Sequence, residues 1–135
     1  MRKLRIAQAT VSVEWLQENI THSDLIIFDA RPAPRFNGEV EEPRAGLRKG
    51  AYAQCQTLPF PNLIENGALK PAFELQSIFK QLVSSDNRIV CSCGSGVTAC
   101  VIALAATVAG YDTVSVYDGS WSEWGIPGDL PVVVS

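Results

Sequence analysis

Arg88-Ile89-Val90-Cys91-Ser92 runs directly into Cys93-Gly94-Ser95-Gly96-Val97-Thr98, which opens a long apolar stretch from Ala99 to Ala109. This succession constrains the fold more than any other feature of the chain. The first segment reads as a short buried strand. The last is nearly all small or branched apolar residues and stops at Gly110, which predicts a helix with a glycine end. Val114-Ser115-Val116-Tyr117 then supplies a returning strand. The thiol of Cys93 is placed where a strand ends and a helix begins. Main-chain N–H groups are free there, and the helix dipole favours negative charge. A cysteine so placed is expected to be partly thiolate, the reactive form. Gly94 and Gly96 let the backbone curl around whatever the sulfur carries. The pattern points to a nucleophile in an anion-stabilising cradle.

The rest of the chain fits one α/β domain spanning residues 1–135. Val13 to Ile20 is predicted as a short helix capped by Ser12, with Trp15 and Leu16 inward. Leu25-Ile26-Ile27-Phe28-Asp29 is a continuous apolar run ending in one acid, a strand buried on both faces as parallel sheets require. From Arg31 to Leu58 the pattern is that of a loop, punctuated by Pro32, Pro34, Gly38, Pro43, Gly46 and Gly50, and long loops in compact domains usually carry function. Pro71 to Val83 predicts an amphipathic helix with Pro71 in its first turn and Phe73, Leu75, Ile78, Phe79 and Leu82 as the apolar face. Alternating helix and strand in the second half indicates a sheet of parallel strands with covering helices.

Several chemistries compete for the Cys93 loop. Gly94-x-Gly96-x-x-Ala99 formally matches a dinucleotide fingerprint after a strand, but that motif opens its domain, and too little chain follows here. A phosphate-binding P-loop needs a lysine, and none is near. A cysteine phosphatase needs an arginine six residues after its nucleophile to clamp the phosphate, where this chain has Ala99. Cys91, Cys93, Cys100 and His22 match no common zinc spacing. Cys93 as merely a small residue at a tight turn is the plainest alternative. The four cysteines read as free thiols in a reducing compartment, because Cys91, Cys93 and Cys100 share one segment. A formal charge of −3 argues against a nucleic-acid or anionic-membrane partner. Met1-Arg2-Lys3-Leu4-Arg5 is followed by no apolar core of a leader peptide, so a cytoplasmic protein is expected.

Cys93-Gly94-Ser95-Gly96-Val97-Thr98-Ala99, with Tyr117-Asp118-Gly119-Ser120-Trp121-Ser122-Glu123-Trp124-Gly125 after the helix, resembles the active-site domain of the rhodanese family of mercaptopyruvate/thiosulfate sulfurtransferases. Asp29-Ala30-Arg31, Arg35-Phe36, Gly38 and Glu42-Pro43-Arg44 agree, in order, and the resemblance runs from about residue 11 to 131. It implies a three-layer domain, a mostly parallel central sheet flanked by helices. It also implies a sulfane sulfur carried as a persulfide on Cys93 from mercaptopyruvate or thiosulfate to a thiol or cyanide, with no cofactor. A protein donor or acceptor is the alternative, the domain then acting as a sulfur carrier. Arg35 and Arg44 match the arginines that bind the keto-acid donor, whose carboxylate suits guanidinium forks; an ion pair with Glu39, Glu41 or Glu42 is their structural reading. Gly94, Ser95, Gly96, Val97 and Thr98 would hold donor and persulfide, with Ser95 offering a hydroxyl and Thr98 equally a helix cap. Thiosulfate-preferring relatives carry basic residues in this loop, so its neutrality favours mercaptopyruvate.

Asp29 and Arg31 are expected to anchor the loop after the strand. Asp118 suits either the loop amides or the cap of a helix near Ser120. Trp121 and Trp124 suit the core better than the cleft wall. Two features depart from the family. Gly50-Ala51-Tyr52-Ala53-Gln54-Cys55 replaces the usual Gly-His-Ile-Pro-Gly-Ala, predicting a reshaped or loose cleft wall. The chain has only the active-type domain of a usual pair, which predicts a more exposed Cys93 if nothing supplies the missing wall of the cleft.

Overall fold

A computed structural model of the chain describes residues 10–53, 55–84, 87–94 and 98–134. The elements in order are β1 (Thr10–Val11), α1 (Val13–Asn19), β2 (Leu25–Asp29), α2 (Ala33–Phe36) and β3 (Cys55–Thr57). After a 3-10 turn at Phe60–Leu63 come β4 (Ile64–Glu65), β5 (Ala68–Leu69), α3 (Ala72–Lys80), β6 (Arg88–Ser92), α4 (Ala99–Val108), β7 (Val114–Tyr117) and α5 (Ser120–Trp124). Five strands make one sheet in the order β1-β7-β6-β2-β3, every described pairing parallel. β4 and β5 form a small antiparallel ladder.

Strand alternation sorts the two faces. Phe28, Ile89, Cys91 and Val116 point to one side, where Leu75 and Phe79 of α3 and Ile102, Ala105 and Ala106 of α4 cover them. Leu25, Ile27, Val90 and Tyr117 point to the other, against Leu16, Ile20, Tyr52, Trp121 and Trp124. Both faces are covered, so β2 is buried nearly throughout, as its unbroken apolar run requires. This is the expected three-layer α/β architecture. Ser12 caps α1 by accepting the Trp15 N–H at 3.0 Å. Trp121 and Trp124 are fully buried core residues.

Three expectations are corrected. The stretch from Arg31 to Leu58 is not all loop: Pro32 and Pro34 preset the one-turn α2, and Cys55–Thr57 pairs with the free side of β2. Three residues are too few to show a strand period. Pro71 stands before the first turn of α3, at its cap. Phe73 is 68% exposed. It lies two residues from Leu75, about 200° around a helix of 3.6 residues per turn, so the two side chains face opposite ways.

Arg48 ties the end of the chain to the body. Its Nη2 donates to the Trp124 carbonyl at 2.8 Å and its Nη1 to that of Leu130 at 3.0 Å. Its own N–H reaches the Gly125 carbonyl at 2.8 Å. Indole N–H groups answer from the other side, Trp121 to Arg48 and Trp124 to Pro131. Carbonyls that α5 leaves open at its C-terminus are thus satisfied. Arg48→Ala is expected to lower stability by about 2–3 kcal/mol, the worth of one or two charged hydrogen bonds, measured by urea unfolding. Arg48→Lys should recover little, because a single ammonium does not span carbonyls six residues apart; full recovery would show that charge alone suffices.

Candidate active site

The chain leaving β2 joins β3 on one side, and the chain leaving β6 joins β7 on the other. The carboxyl ends of β2 and β6 therefore border a crevice, where open parallel sheets bind their ligands. Asp29 and Ser92 are the last paired residues, and the Ala30 N–H donates to the Ser92 carbonyl at 2.8 Å. Beyond them the two tails present Arg31, two residues after Asp29, and Cys93, the residue after Ser92.

Asp29 and Arg31 build the floor. Arg31 is 1% exposed. Its Nε donates to Asp29 Oδ2 at 2.8 Å, Nη2 to the Gly50 carbonyl at 2.8 Å, and Nη1 to Glu42 Oε2 at 3.2 Å. Its guanidinium also stacks on Trp121, 4.2 Å from the ring centroid. Burial works against the cation, but Asp29 and Glu42 outweigh it and hold the Arg31 pKa above its ordinary value. The expected anchoring role is what the geometry shows.

Glu42 carries the network outward, because its Oε1 accepts from Arg35 Nη2 at 2.8 Å. Arg35 lies across Gly94: a Cβ there would come within 2.7 Å of Nη2. Arg35 Nε is buried with no hydrogen-bond partner. Arg44 is exposed on the opposite lip and forms no ion pair among the described residues. The structure thus brings Cys93, Gly94, Thr98, Arg35 and Arg44 around one cleft of about 300 Å³. Ser95, Gly96 and Val97 lie outside the described residues. A larger cavity of about 410 Å³ opens beside Cys55 and Gln56 and touches neither Cys93 nor the arginines.

The expectation of an exposed Cys93 is corrected. It is 1% exposed, seated among Ala99, Ile102 and the core side of the sheet, so a reagent must enter the cleft to meet it. Its own N–H is not free for an anion, because it donates to Ser120 Oγ at 3.1 Å. Thr98 does not cap α4 through its side chain. Its dihedrals, φ −75° and ψ −18°, are already helical, whereas a capping hydroxyl needs an extended residue. Asp118 is exposed and caps nothing; Gly119 holds the position before α5. Burial pushes the Cys91 and Cys55 thiols up, so neither competes as a thiolate. None of the four cysteines is in a disulfide.

Ser120 and Ser122 hold the Cys93–Gly94 backbone, a role the sequence left unread. The Trp121 N–H donates to the Cys93 carbonyl at 2.9 Å, and the Ser122 N–H and Oγ both donate to the Gly94 carbonyl, at 2.8 and 2.7 Å. The only signal was the shared motif from Tyr117 to Gly125, which does not reveal which atoms meet. The start of the replaced segment is not loose: Gly50, at φ +124°, has no room for a Cβ beside Val132, Ala51 pairs with Val133, and Tyr52 is 2% exposed, while Gln54 lies outside the described residues.

Gly94→Ala is expected to push the Arg35 guanidinium off Glu42 and cost about 0.5–1.5 kcal/mol, the worth of one hydrogen bond. In an Arg35→Ala background the same change should cost little. Denaturant unfolding of the four proteins of this cycle measures the difference, and equal costs in both backgrounds would contradict the contact.

The rhodanese-like domain family matches residues 12–126. Over 107 residues the chain is 51% identical to the 3-mercaptopyruvate sulfurtransferase of Escherichia coli K12, covering 78% of this chain and 38% of that protein. It is 43% identical to the mitochondrial thiosulfate/3-mercaptopyruvate sulfurtransferase 1 of Arabidopsis thaliana, covering 78% and 28%. A solved structure, the sulfur transferase subunit of yeast mitochondrial complex I, superposes with a TM-score of 0.83 at 36% identity, over 99% of this chain and 48% of that one. The chain spans well under half the length of the curated relatives. With the Cys93 loop at the switch point of a parallel sheet and a family match over most of its length, the chain belongs to the rhodanese-like domain family.

Proposed function

We propose that this domain is a sulfurtransferase, taking the outer sulfur of mercaptopyruvate, or of thiosulfate, onto Cys93 and passing it to a thiol or cyanide. The observation that carries this reading is the meeting of Cys93 and two arginines, Arg35 and Arg44, in one cleft. The likeness to proteins named mercaptopyruvate sulfurtransferases supports it.

The steps balance as follows. The Cys93 thiolate attacks the outer sulfur of the donor and a new S–S bond forms. From mercaptopyruvate the carbon–sulfur bond breaks and the electron pair leaves on carbon as the enolate of pyruvate, which takes up a proton; from thiosulfate the donor's own sulfur–sulfur bond breaks and the pair leaves on sulfite. An acceptor thiolate or cyanide then attacks the outer sulfur and returns Cys93 as thiolate. The keto-acid carboxylate calls for a cation that is not already neutralised. Arg44 meets that need directly, while Arg35 shares its charge with Glu42 and presents the rest of its fork to the cleft. Cys93 is almost wholly buried, so in this reaction the donor must reach the sulfur through the cleft that Cys93 lines. Loop amides beyond Cys93 would stabilise the anionic sulfur in both steps.

A sulfur carrier served by a protein partner is the other reading, and one experiment separates them. Thiocyanate release from mercaptopyruvate and cyanide is expected to proceed over many turnovers and to vanish in Cys93→Ser. Arg44→Ala should reduce kcat/KM for mercaptopyruvate by an amount worth about 2–4 kcal/mol, with a smaller effect on thiosulfate. A stable gain of one sulfur on Cys93 by mass spectrometry, without turnover, would establish the carrier instead. Equal rates for wild type and Cys93→Ser would end both.

A further inference from the structure

We infer that Tyr52, the residue introduced by the altered Gly50–Cys55 segment, is a positioning residue for Cys93, acting through Ser92 and Ser120. The inference rests on Cys93 being the reacting thiol.

The tyrosine ring is fixed by edge contacts to Trp121 and Tyr117 and a tilted contact to Trp124. Its hydroxyl meets Ser92 Oγ. Ser92 Oγ in turn lies 3.3 Å from Ser120 Oγ, which is 2.9 Å from the Tyr117 carbonyl and 3.1 Å from the Cys93 nitrogen. Counting protons fixes every direction. The Tyr117 carbonyl only accepts, so the single proton of Ser120 goes there. The two lone pairs of Ser120 then receive the Cys93 N–H and the Ser92 hydroxyl. With its proton spent on Ser120, Ser92 must accept from Tyr52. Burial pushes the Tyr52 pKa well up, which keeps that donor proton in place. The chain of donors thus runs one way, from Tyr52 to Ser92 to Ser120.

Ser120 needs this support. It is fully buried with φ at +51°, a left-handed conformation unfavourable for a serine. The strained residue is the one that grips the Cys93 amide, and its hydroxyl is saturated on every side. A buried hydroxyl network with all partners in place specifies one arrangement; a network missing its terminal donor does not. Removing the Tyr52 hydroxyl leaves Ser92 free to turn, and the hold on the Cys93 peptide plane loosens.

The test compares Tyr52→Phe, which keeps the ring, with Ser120→Ala and the double variant. Three readouts are taken: amide hydrogen exchange at Cys93, the pH profile of Cys93 alkylation by iodoacetamide, and single-turnover sulfur transfer from mercaptopyruvate. Tyr52→Phe is expected to speed exchange at the Cys93 amide, move the alkylation midpoint to higher pH, and slow transfer about fivefold with donor affinity unchanged. In the Ser120→Ala background it should change none of these. Wild-type exchange and an unmoved alkylation profile in Tyr52→Phe would overturn the inference, as would a full, independent effect on top of Ser120→Ala. Should Tyr52→Phe fail to fold, Ser92→Ala removes the middle link and faces the same criteria. Exchange and alkylation need no sulfur donor. A protein that responds in both yet transfers no sulfur would refute the transferase reading and leave the positioning role standing.

Discussion

A guanidinium with no access to water is the constraint around which this domain is arranged. Arg31 follows β2 by two residues, and its buried charge is tolerable only if its nitrogens find partners. Asp29, Glu42 and the Gly50 carbonyl supply at least one to each of the three, and Trp121 covers the flat face. These partners come from the end of β2, from the irregular chain between α2 and β3, and from α5. One side chain therefore gathers three segments that share no regular hydrogen bonding. Removing any one carboxylate would leave an uncompensated charge in the floor of the cleft, which is far more damaging than losing a surface pair.

The network also sets what the cleft presents. Glu42 faces two arginines, and its inner oxygen is committed to Arg31. The outer oxygen then holds Arg35 against Gly94, where a Cβ would have to displace the guanidinium. Position, not just charge, passes from the buried pair to the cleft wall. On the other side of the sheet end, the turn from β7 into α5 does the same for the sulfur: Ser120, Trp121 and Ser122 take up the polar main-chain groups of Cys93 and Gly94 in succession. The thiol and the arginine beside it are thus held from opposite directions by elements that meet at Trp121, where the Arg31 guanidinium stacks, and again where Arg48 and Tyr52 reach Trp124.

The long regular elements were legible because their physics is local. β2, β6 and β7 appear where short, largely apolar segments place them, and α4 ends at Val108, two residues before its glycine stop. Phe73 was misplaced because a count of apolar residues does not resolve angle around a helix. β3 escaped because three residues owe their extended form to a neighbouring strand, not to their own pattern. In the candidate site, Cys93, Arg35 and Arg44 could be named from the resemblance. Their surroundings could not, because Glu42 reaches Arg35 from seven residues away and Ser120 reaches Cys93 from twenty-seven. Tyr52 was the hardest to read. Against the family it registers as a loss of pattern, and its hydroxyl acquires meaning only once β6 and α5 bring Ser92 and Ser120 beside it.

Selection among the cysteines follows from the same geometry. Cys91 and Cys93 are two apart on one strand and its exit, so their side chains leave the sheet on the same face. Cys91 lies inside the paired register, opposite Phe28 and Val116, and the body of α4 closes over it. That thiol is locked in the protonated form by burial. Cys93 lies just past the last paired residue, where the sheet ends and the cleft begins. Both thiols are equally hidden by accessible area, 0% and 1%, so exposure does not distinguish them. What distinguishes them is the surroundings: the closed apolar core between sheet and helices for one, a polar cleft with arginines for the other. A displacement of two residues along a strand is enough to move a side chain from the core to the lining of the cleft, where the proposed chemistry needs it.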